Sequence, residues 1–237
     1  MITIIDYGSG NLRSISNSFL KINTKPIITN DLEKIAEAEY LVLPGVGNFK
    51  HGMNSIQPYK KIIKEHIAED KPFLGVCLGL QLLLSSSEEA PDTKGLSIFK
   101  GKVKKIPIKN HLKVPHMGWN KLDVNSEKSK SFNSEKNNSF NSEKSKSSNS
   151  EENKSSNLKK SKSSSIIDGI TSEYFYFVHS YSAFPEDESI ITATAKYGID
   201  IAAVLSQNNL FATQFHPEKS GVGGLKLLKN FVNMNQI

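Results

Sequence analysis

From Ile2 to Leu84 short apolar runs alternate with longer stretches whose apolar residues recur at helical spacing. Ile2–Asp6, Pro26–Thr29, Tyr40–Leu43 and Phe73–Val76 read as strands. Between and after them lie Asn11–Lys21, with Leu12, Ile15, Phe19 and Leu20 close to helical period, then Asp31–Ala38, Ile56–Ala68 and Leu78–Leu84. A strand that is apolar throughout must be covered on both faces, and the intervening helices supply that cover. The pattern predicts an α/β fold with a central, mostly parallel sheet and flanking helices. Beyond residue 95 the texture becomes β-rich: Ile98–Ile106, Tyr174–Ala183, Ile190–Lys196, Ile201–Ser206 and Leu210–Phe215, closed by a helix at Leu225–Val232.

One segment cannot belong to that core. Asn125–Phe132, Asn133–Phe140, Asn141–Ser148 and Asn149–Ser156 are four successive octads of the type NSEKSKSF. Each offers at most one aromatic side chain, too little burial to offset roughly 1–2 kcal/mol of backbone ordering per residue. A stacked solenoid needs an apolar face in every unit, and these units have none. Residues 125–165 are therefore expected to be a disordered, low-complexity insertion within one domain spanning 1–237. A lysine-rich arm that touches an acidic partner is the other reading. Lengthening a loop costs only about 0.6 kcal/mol per doubling, so a fold can carry one here.

The charge balance follows the same division. Of the formal +6, nine lysines against five acids place +4 in residues 125–165. The basic balance therefore says little about a nucleic-acid partner, and Arg13, the only arginine, leaves little for bidentate recognition of bases or phosphates. No apolar run reaches the ~20 residues of a membrane span. The chain opens directly on a strand, with no signal or transit segment expected before it. Cys77 is the single cysteine and can make no internal disulfide, which suits a reducing cytoplasm.

That cysteine sits in the most informative stretch of the chain. Phe73-Leu-Gly-Val-Cys77-Leu-Gly-Leu-Gln81 reads as an apolar strand, a sharp turn and a helix. Gly75-Val-Cys77-Leu-Gly79 has the spacing of a nucleophile elbow, with sulfur in place of oxygen. Glycines two before and two after the nucleophile permit a strained turn and close approach of helix to strand. A thiol at the positive end of a helix is expected to ionise more readily. A free buried cysteine is otherwise a small hydrophobe, and the elbow is what argues against that here.

Thr213-Gln-Phe-His216-Pro-Glu218 offers a base and an acid two residues apart, at the end of an alternating strand. That spacing can set a carboxylate beside the imidazole, fixing its tautomer in a nucleophile–base–acid triad. Pro44-Gly-Val-Gly-Asn-Phe49 follows the third strand, and its glycines allow backbone N–H groups to face a ligand, as an oxyanion hole requires. An ordinary strand-to-helix turn fits the same residues. Gly221-Val-Gly-Gly224 lacks the lysine of a phosphate loop and reads as the opening of the last helix. His51, His66 and His111 show no metal-ligand spacing, so no metal is expected.

Together these residues resemble the Cys–His–Glu site of the class I, triad-type glutamine amidotransferases. Finer matches are similar to the family of glutaminase subunits of imidazole glycerol phosphate synthase. They are Asp6-Tyr-Gly-Ser-Gly-Asn-Leu-Arg-Ser14, Leu43-Pro-Gly-Val-Gly-Asn-Phe49, Gly75-Val-Cys-Leu-Gly-Leu-Gln81, Val114-Pro-His-Met-Gly-Trp-Asn120, Tyr174-Phe-Tyr-Phe-Val-His-Ser-Tyr181 and Gln214-Phe-His-Pro-Glu-Lys-Ser220. The resemblance runs end to end, apart from the octads.

The resemblance implies a flavodoxin-like amidotransferase fold and ammonia release from L-glutamine. Cys77 would attack the side-chain carbonyl, His216 move protons and Glu218 hold the histidine. Backbone N–H groups of Leu78 and of the Val46–Gly47 turn would bind the oxyanion, while Gln81, His179, Ser180 and Tyr181 would grip the amino-acid end of glutamine. No cofactor is implied. The implied partner is the (β/α)8-barrel cyclase subunit of the synthase, in a heterodimer, with phosphoribulosyl-formimino aminoimidazole carboxamide ribotide as acceptor. Asn11, Trp119, Tyr176 and Lys219 match positions at or near the face toward it. Other readings are a subunit serving another synthase, a partner-independent cysteine amidohydrolase, and a non-catalytic scaffold; the intact Cys77, His216 and Glu218 speak against the last.

Overall fold

The computed structural model describes residues 1–107, 112–124, 165–171 and 173–234. In chain order the first half runs β1 (Ile2–Ile5), α1 (Leu12–Lys21), β2 (Ile27–Thr29), α2 (Leu32–Ala36), β3 (Tyr40–Gly45), α3 (Phe49–Ser55), α4 (Lys60–Ala68), β4 (Phe73–Cys77) and α5 (Leu78–Leu82). The second half runs β5 (Ser86–Ser87), β6 (Gly101–Lys105), β7 (His116–Lys121), β8 (Asp123–Val124), β9 (Tyr174–His179), β10 (Tyr181–Pro185), β11 (Ile191–Lys196), β12 (Asp200–Gln207), β13 (Leu210–Thr213) and α6 (Gly221–Val232).

Among the described residues, eight strands form the main sheet in the order β2-β1-β3-β4-β13-β12-β11-β8. The first five are mutually parallel, and β12, β11 and β8 continue antiparallel. β1, β3 and β4 are buried along their whole length, which is why they carry apolar residues on both faces. One face packs Ile5, Leu41, Leu43 and Phe73 with Ile35, Met53 and Ile63 of α2, α3 and α4. The other packs Ile4, Val42, Leu74 and Val76 with Ile15 and Phe19 of α1 and Leu227, Leu228 and Phe231 of α6. Each fully buried side chain of this size contributes about 1.5–3 kcal/mol relative to exposure. The sheet-with-helices architecture and the β-rich second half are as the sequence predicts.

β5, β7 and β8 are not expected from the sequence, and two expected elements are divided. The helix expected from Ile56 begins earlier, as α3 capped by the Asn48 side chain on the His51 N–H, and a 3-10 turn at Gln57–Tyr59 containing Pro58 separates it from α4. The strand expected over Tyr174–Ala183 breaks at Ser180. Among the described residues β9 pairs only with β7, as a two-stranded ribbon, and β10 joins β6 and β5 in a separate three-stranded sheet. The break is fixed by Nδ1 of His179, which donates to the Tyr181 carbonyl at 2.8 Å, and by the Ile106 N–H on the Ser180 carbonyl at 2.9 Å. The last helix opens at Gly221, as the glycine run predicts. The insertion read at 125–165 falls, except for Ser165, outside the described residues.

Candidate active site

Cys77 ends β4 and precedes α5 with φ 55° and ψ −105°. A non-glycine residue held there stores about 1–3 kcal/mol of strain, which the surrounding structure must impose. It does so by packing α5 tightly against the sheet. A Cβ on Gly79 would stand 2.0 Å from the Leu43 carbonyl oxygen, and one on Gly75 would stand 3.1 Å from the backbone of Gly79 and Leu80. The two glycines flanking the nucleophile are thus required by close approach. The Leu78 N–H is the first of α5 and so has no acceptor inside its helix.

β13 lies beside β4 in parallel register, Thr213 opposite Val76, so the chain leaving β13 reaches the elbow. His216 precedes the 3-10 turn Pro217–Lys219. Its Nδ1 donates to Oε1 of Glu218 at 2.8 Å, with the two side chains 3% and 4% exposed. The loop is pinned by the His216 N–H on the Tyr176 carbonyl (2.9 Å), and by Ser220, whose Oγ donates to the His216 carbonyl (2.6 Å) and accepts from the Tyr176 N–H (3.0 Å). Burial alone lowers the His216 pKa. Hydrogen bonding with Cys77 and Glu218, and the charges of both, outweigh it and carry the pKa up to about 10. Among the described residues Nε2 nevertheless finds no hydrogen-bond partner. A nucleophile–base contact that is loose without substrate and tightens with it fits both observations.

The Pro44–Gly47 turn borders the same elbow, since β3 is β4's neighbour and Gly45 stands opposite Cys77. Gly47 has φ +103°, a conformation open to glycine. The Val46 N–H is not free: it donates to Oγ of Ser9 at 3.3 Å, and the same hydroxyl donates to the Val46 carbonyl at 2.6 Å. Past the turn, the Phe49 N–H donates to Oε2 of Glu89 at 2.7 Å, which puts a carboxylate at the turn's edge.

On the other side of Cys77, Gln81 donates through Nε2 to the Tyr181 carbonyl at 3.1 Å and to Oε1 of Gln214 at 3.3 Å. Gln214 Nε2 in turn lies 3.8 Å from Sγ of Cys77. The structure therefore brings Gln81 together with the 179–181 segment, 100 residues away in sequence. Sequence reasoning gave no role to Ser9, Glu89, Gln214 or His116. Gln214 opens the matching stretch Gln214–Ser220, but its pairing with Gln81 depends on β13 lying beside β4.

The histidines set opposing pH dependences. Burial pulls the pKa of His116 to about 4 and of His179 to about 3, and lowers that of His66. Below the ordinary value near 6.5 the unfolded chain binds these protons and the folded chain does not, so stability falls as pH drops toward 4. His216 acts oppositely. Its stabilisation is fully present below 6.5 and is lost as pH rises toward about 10. The melting temperature is therefore expected to peak near pH 6.5 in melts scanned from pH 3.5 to 10; a curve rising steadily across that range contradicts these assignments.

Of the residues expected to face a partner, Trp119 is 53% exposed and meets Tyr176 edge-on at 5.7 Å between ring centroids. Lys219 Nζ lies 5.7 Å above the Tyr176 ring. These three form one surface cluster. Asn11 caps α1, its side chain accepting from the Ser14 N–H at 3.2 Å, which gives it a structural reason to be there.

Comparison with known proteins places this arrangement. The glutamine amidotransferase class-I family model matches residues 3–234. The chain is 42% identical to the imidazole glycerol phosphate synthase subunit HisH of Methanothermobacter thermautotrophicus, over 99% of this chain and 98% of the relative. It is 40% identical to the subunit of that name from Methanocaldococcus jannaschii, over 99% and 100% of the two chains. Among solved structures, a glutamine amidotransferase crystal structure superposes with a TM-score of 0.67 at 14% identity, covering 100% of both chains. PurLQS from Thermotoga maritima gives 0.63 at 15% identity, over 98% of this chain and 97% of that one. The chain belongs to the class-I glutamine amidotransferases and, within them, to the family of imidazole glycerol phosphate synthase subunits HisH.

Proposed function

We propose that this protein is the glutaminase subunit of an imidazole glycerol phosphate synthase in histidine biosynthesis, working through Cys77, His216 and Glu218. The observation that carries the triad is the buried 2.8 Å bond from His216 Nδ1 to Glu218, beside an elbow that holds Cys77 in a strained turn. With Nδ1 committed to the carboxylate, Nε2 is the nitrogen left to exchange protons with sulfur. The Sγ proton rests on Nε2 of the His216 imidazolium, and sulfur attacks the glutamine side-chain carbonyl carbon. The carbonyl electrons move onto oxygen, where the Leu78 N–H donates, joined by the Val46–Gly47 turn once the Val46 N–H is released from Ser9. Collapse of that intermediate breaks the C–N bond, and His216 returns the proton to the departing ammonia. Water, deprotonated by His216, then cleaves the thioester to glutamate. Gln81, His179, Ser180 and Tyr181 hold the amino-acid end of the substrate.

The reading includes a (β/α)8-barrel cyclase partner, docked on the face with Trp119, Tyr176 and Lys219 and receiving ammonia for its acceptor. Occupation of the Val46 N–H by Ser9 favours a partner-controlled enzyme over an independent amidohydrolase. The cytoplasm is the proposed compartment; among the described residues no helix is long and apolar enough to cross a membrane. The octads, beyond the described residues, are proposed to be an insertion within this one domain; the described chain stops short of them at Val124, where β8 ends on the sheet's edge, four strands from β4.

The decisive experiment is co-purification with the candidate cyclase, followed by glutaminase assay with and without the acceptor. Co-elution and acceptor-stimulated glutamate release are expected. A chain that ignores the cyclase and hydrolyses glutamine equally well alone refutes the pathway assignment.

A further inference from the structure

Four inward-facing groups on and beside the β7–β9 ribbon form a chain of hydrogen bonds that the triad does not use. In the ribbon His116 stands opposite His179, and Trp119 opposite Tyr176. Alternation turns His116 and Asn120 inward and Met117 and Trp119 outward: His116 is 1% exposed and Met117 62%. His116 Nδ1 lies 3.0 Å from His179 Nε2, and His179 Nδ1 lies 2.8 Å from the Tyr181 carbonyl. Asn120 Nδ2 lies 3.3 Å from His116 Nε2 and donates to the Lys196 carbonyl at 2.9 Å.

The protons in this chain can be assigned. A carbonyl only accepts, so Nδ1 of His179 carries a hydrogen and its Nε2, in the neutral ring, accepts. His116 Nδ1 must then donate, and its Nε2 accepts from Asn120, whose amide is oriented by Lys196. Both rings are neutral in this arrangement, in keeping with their burial. The Tyr181 carbonyl at the inner end also receives Gln81, the side chain that reaches Gln214 and, through it, Cys77.

His116 is sandwiched by aromatic rings, stacked at 20° on Phe177 and on Tyr197, with centroids 4.9 and 3.8 Å away. Stacking alone would be served as well by phenylalanine, which brings no buried ring nitrogens to satisfy. The histidine is explained by its N–H. We propose that His116 is a positioning residue for glutamine hydrolysis: it fixes the tautomer of His179, which holds the Tyr181 carbonyl against Gln81 beside the nucleophile. The proposal rests on the glutaminase reading. The same strands turn Trp119 and Tyr176 outward, so a partner docked there bears on the ribbon that carries the pair.

The test compares wild type, His116→Phe and His116→Asn in the complex with the cyclase and its acceptor. His116→Phe keeps the stack and removes the donor; it is expected to raise KM for glutamine about tenfold, the loss of one buried hydrogen bond, with little change in kcat. His116→Asn, with an amide N–H near the position of Nδ1, should restore most of that loss. ¹⁵N spectra should show His179 as the Nδ1–H tautomer in wild type and a growing Nε2–H form in His116→Phe. An unchanged KM with an unchanged tautomer, or no rescue by asparagine in a folded protein, overturns the proposal. So does an Nε2–H His179 in wild type, which settles the matter even if the phenylalanine variant fails to fold. A wild-type complex without glutaminase activity instead removes the functional reading, while the spectra still judge the histidine pair.

Discussion

Replacing Cys77 with alanine is expected to lower glutamine-dependent turnover by about five to six orders of magnitude, the scale seen when the nucleophile of a triad is removed. Sulfur at the elbow is the only nucleophile of its kind in the chain, since Cys77 is the single cysteine. With ammonium salt supplied, synthesis in the complex should continue, because the cyclase chemistry lies on the partner. The fold should be unaffected: alanine keeps the Cβ and therefore the same strain at φ 55°. Cys77→Gly makes a sharper comparison. Glycine accepts that backbone conformation, relieving about 1–3 kcal/mol, against about 0.4–1 kcal/mol of added freedom in the unfolded chain. The glycine variant should be as inactive as alanine yet melt at a higher temperature. Glutamate release at near wild-type rate from Cys77→Ala, measured with the cyclase and acceptor present, would remove Cys77 from the mechanism.

Much of this was legible because it is local. The elbow is written in nine consecutive residues, Phe73 to Gln81, and the base and acid in three, His216 to Glu218. Buried parallel strands show themselves as apolar runs, so the sheet was legible as well. What escaped depends on contacts distant in sequence. Gly52 weakens the helical signal of α3, yet a Cβ there would stand 3.1–3.3 Å from the side chains of Leu78 and Leu82, so the glycine serves packing against α5. The break at Ser180 is invisible in an aromatic, strand-like run and arises from which partner each half finds, β7 or β6. His116 and His179 meet through an antiparallel register that spans the octads, and no spacing rule anticipates it.

Ser9→Ala is expected to raise glutamine hydrolysis by the isolated subunit and to shrink the stimulation produced by the cyclase and its acceptor. In the structure the Val46 N–H is spent on Ser9 Oγ, and the same hydroxyl grips the Val46 carbonyl. A donor so engaged is not available to an oxyanion forming at Cys77, although Gly45 of the same turn stands opposite that residue. Turning the peptide toward the elbow requires breaking both bonds. Each is worth about 0.5–1.5 kcal/mol, so their removal should enrich the turned form by roughly 5-fold to 160-fold. Gly47, already at φ +103°, can follow such a rotation without a side chain to obstruct it. Val46→Pro supplies the opposite case by deleting the N–H altogether. It should cut the stimulated rate by about 10²–10³ while leaving cyclase affinity near wild type, because one lost oxyanion donor acts on the transition state and not on docking. Glutaminase rate measured against acceptor concentration, for wild type and both variants, separates the contributions. If Ser9→Ala leaves the unstimulated rate where it was, the hydroxyl is not a restraint on the turn. If Val46→Pro retains full stimulation, the donor lies elsewhere, and Leu78 would have to carry the oxyanion without it. The two variants thus move opposite ends of the same ratio, the resting rate and the stimulated one, as expected if a single peptide governs both.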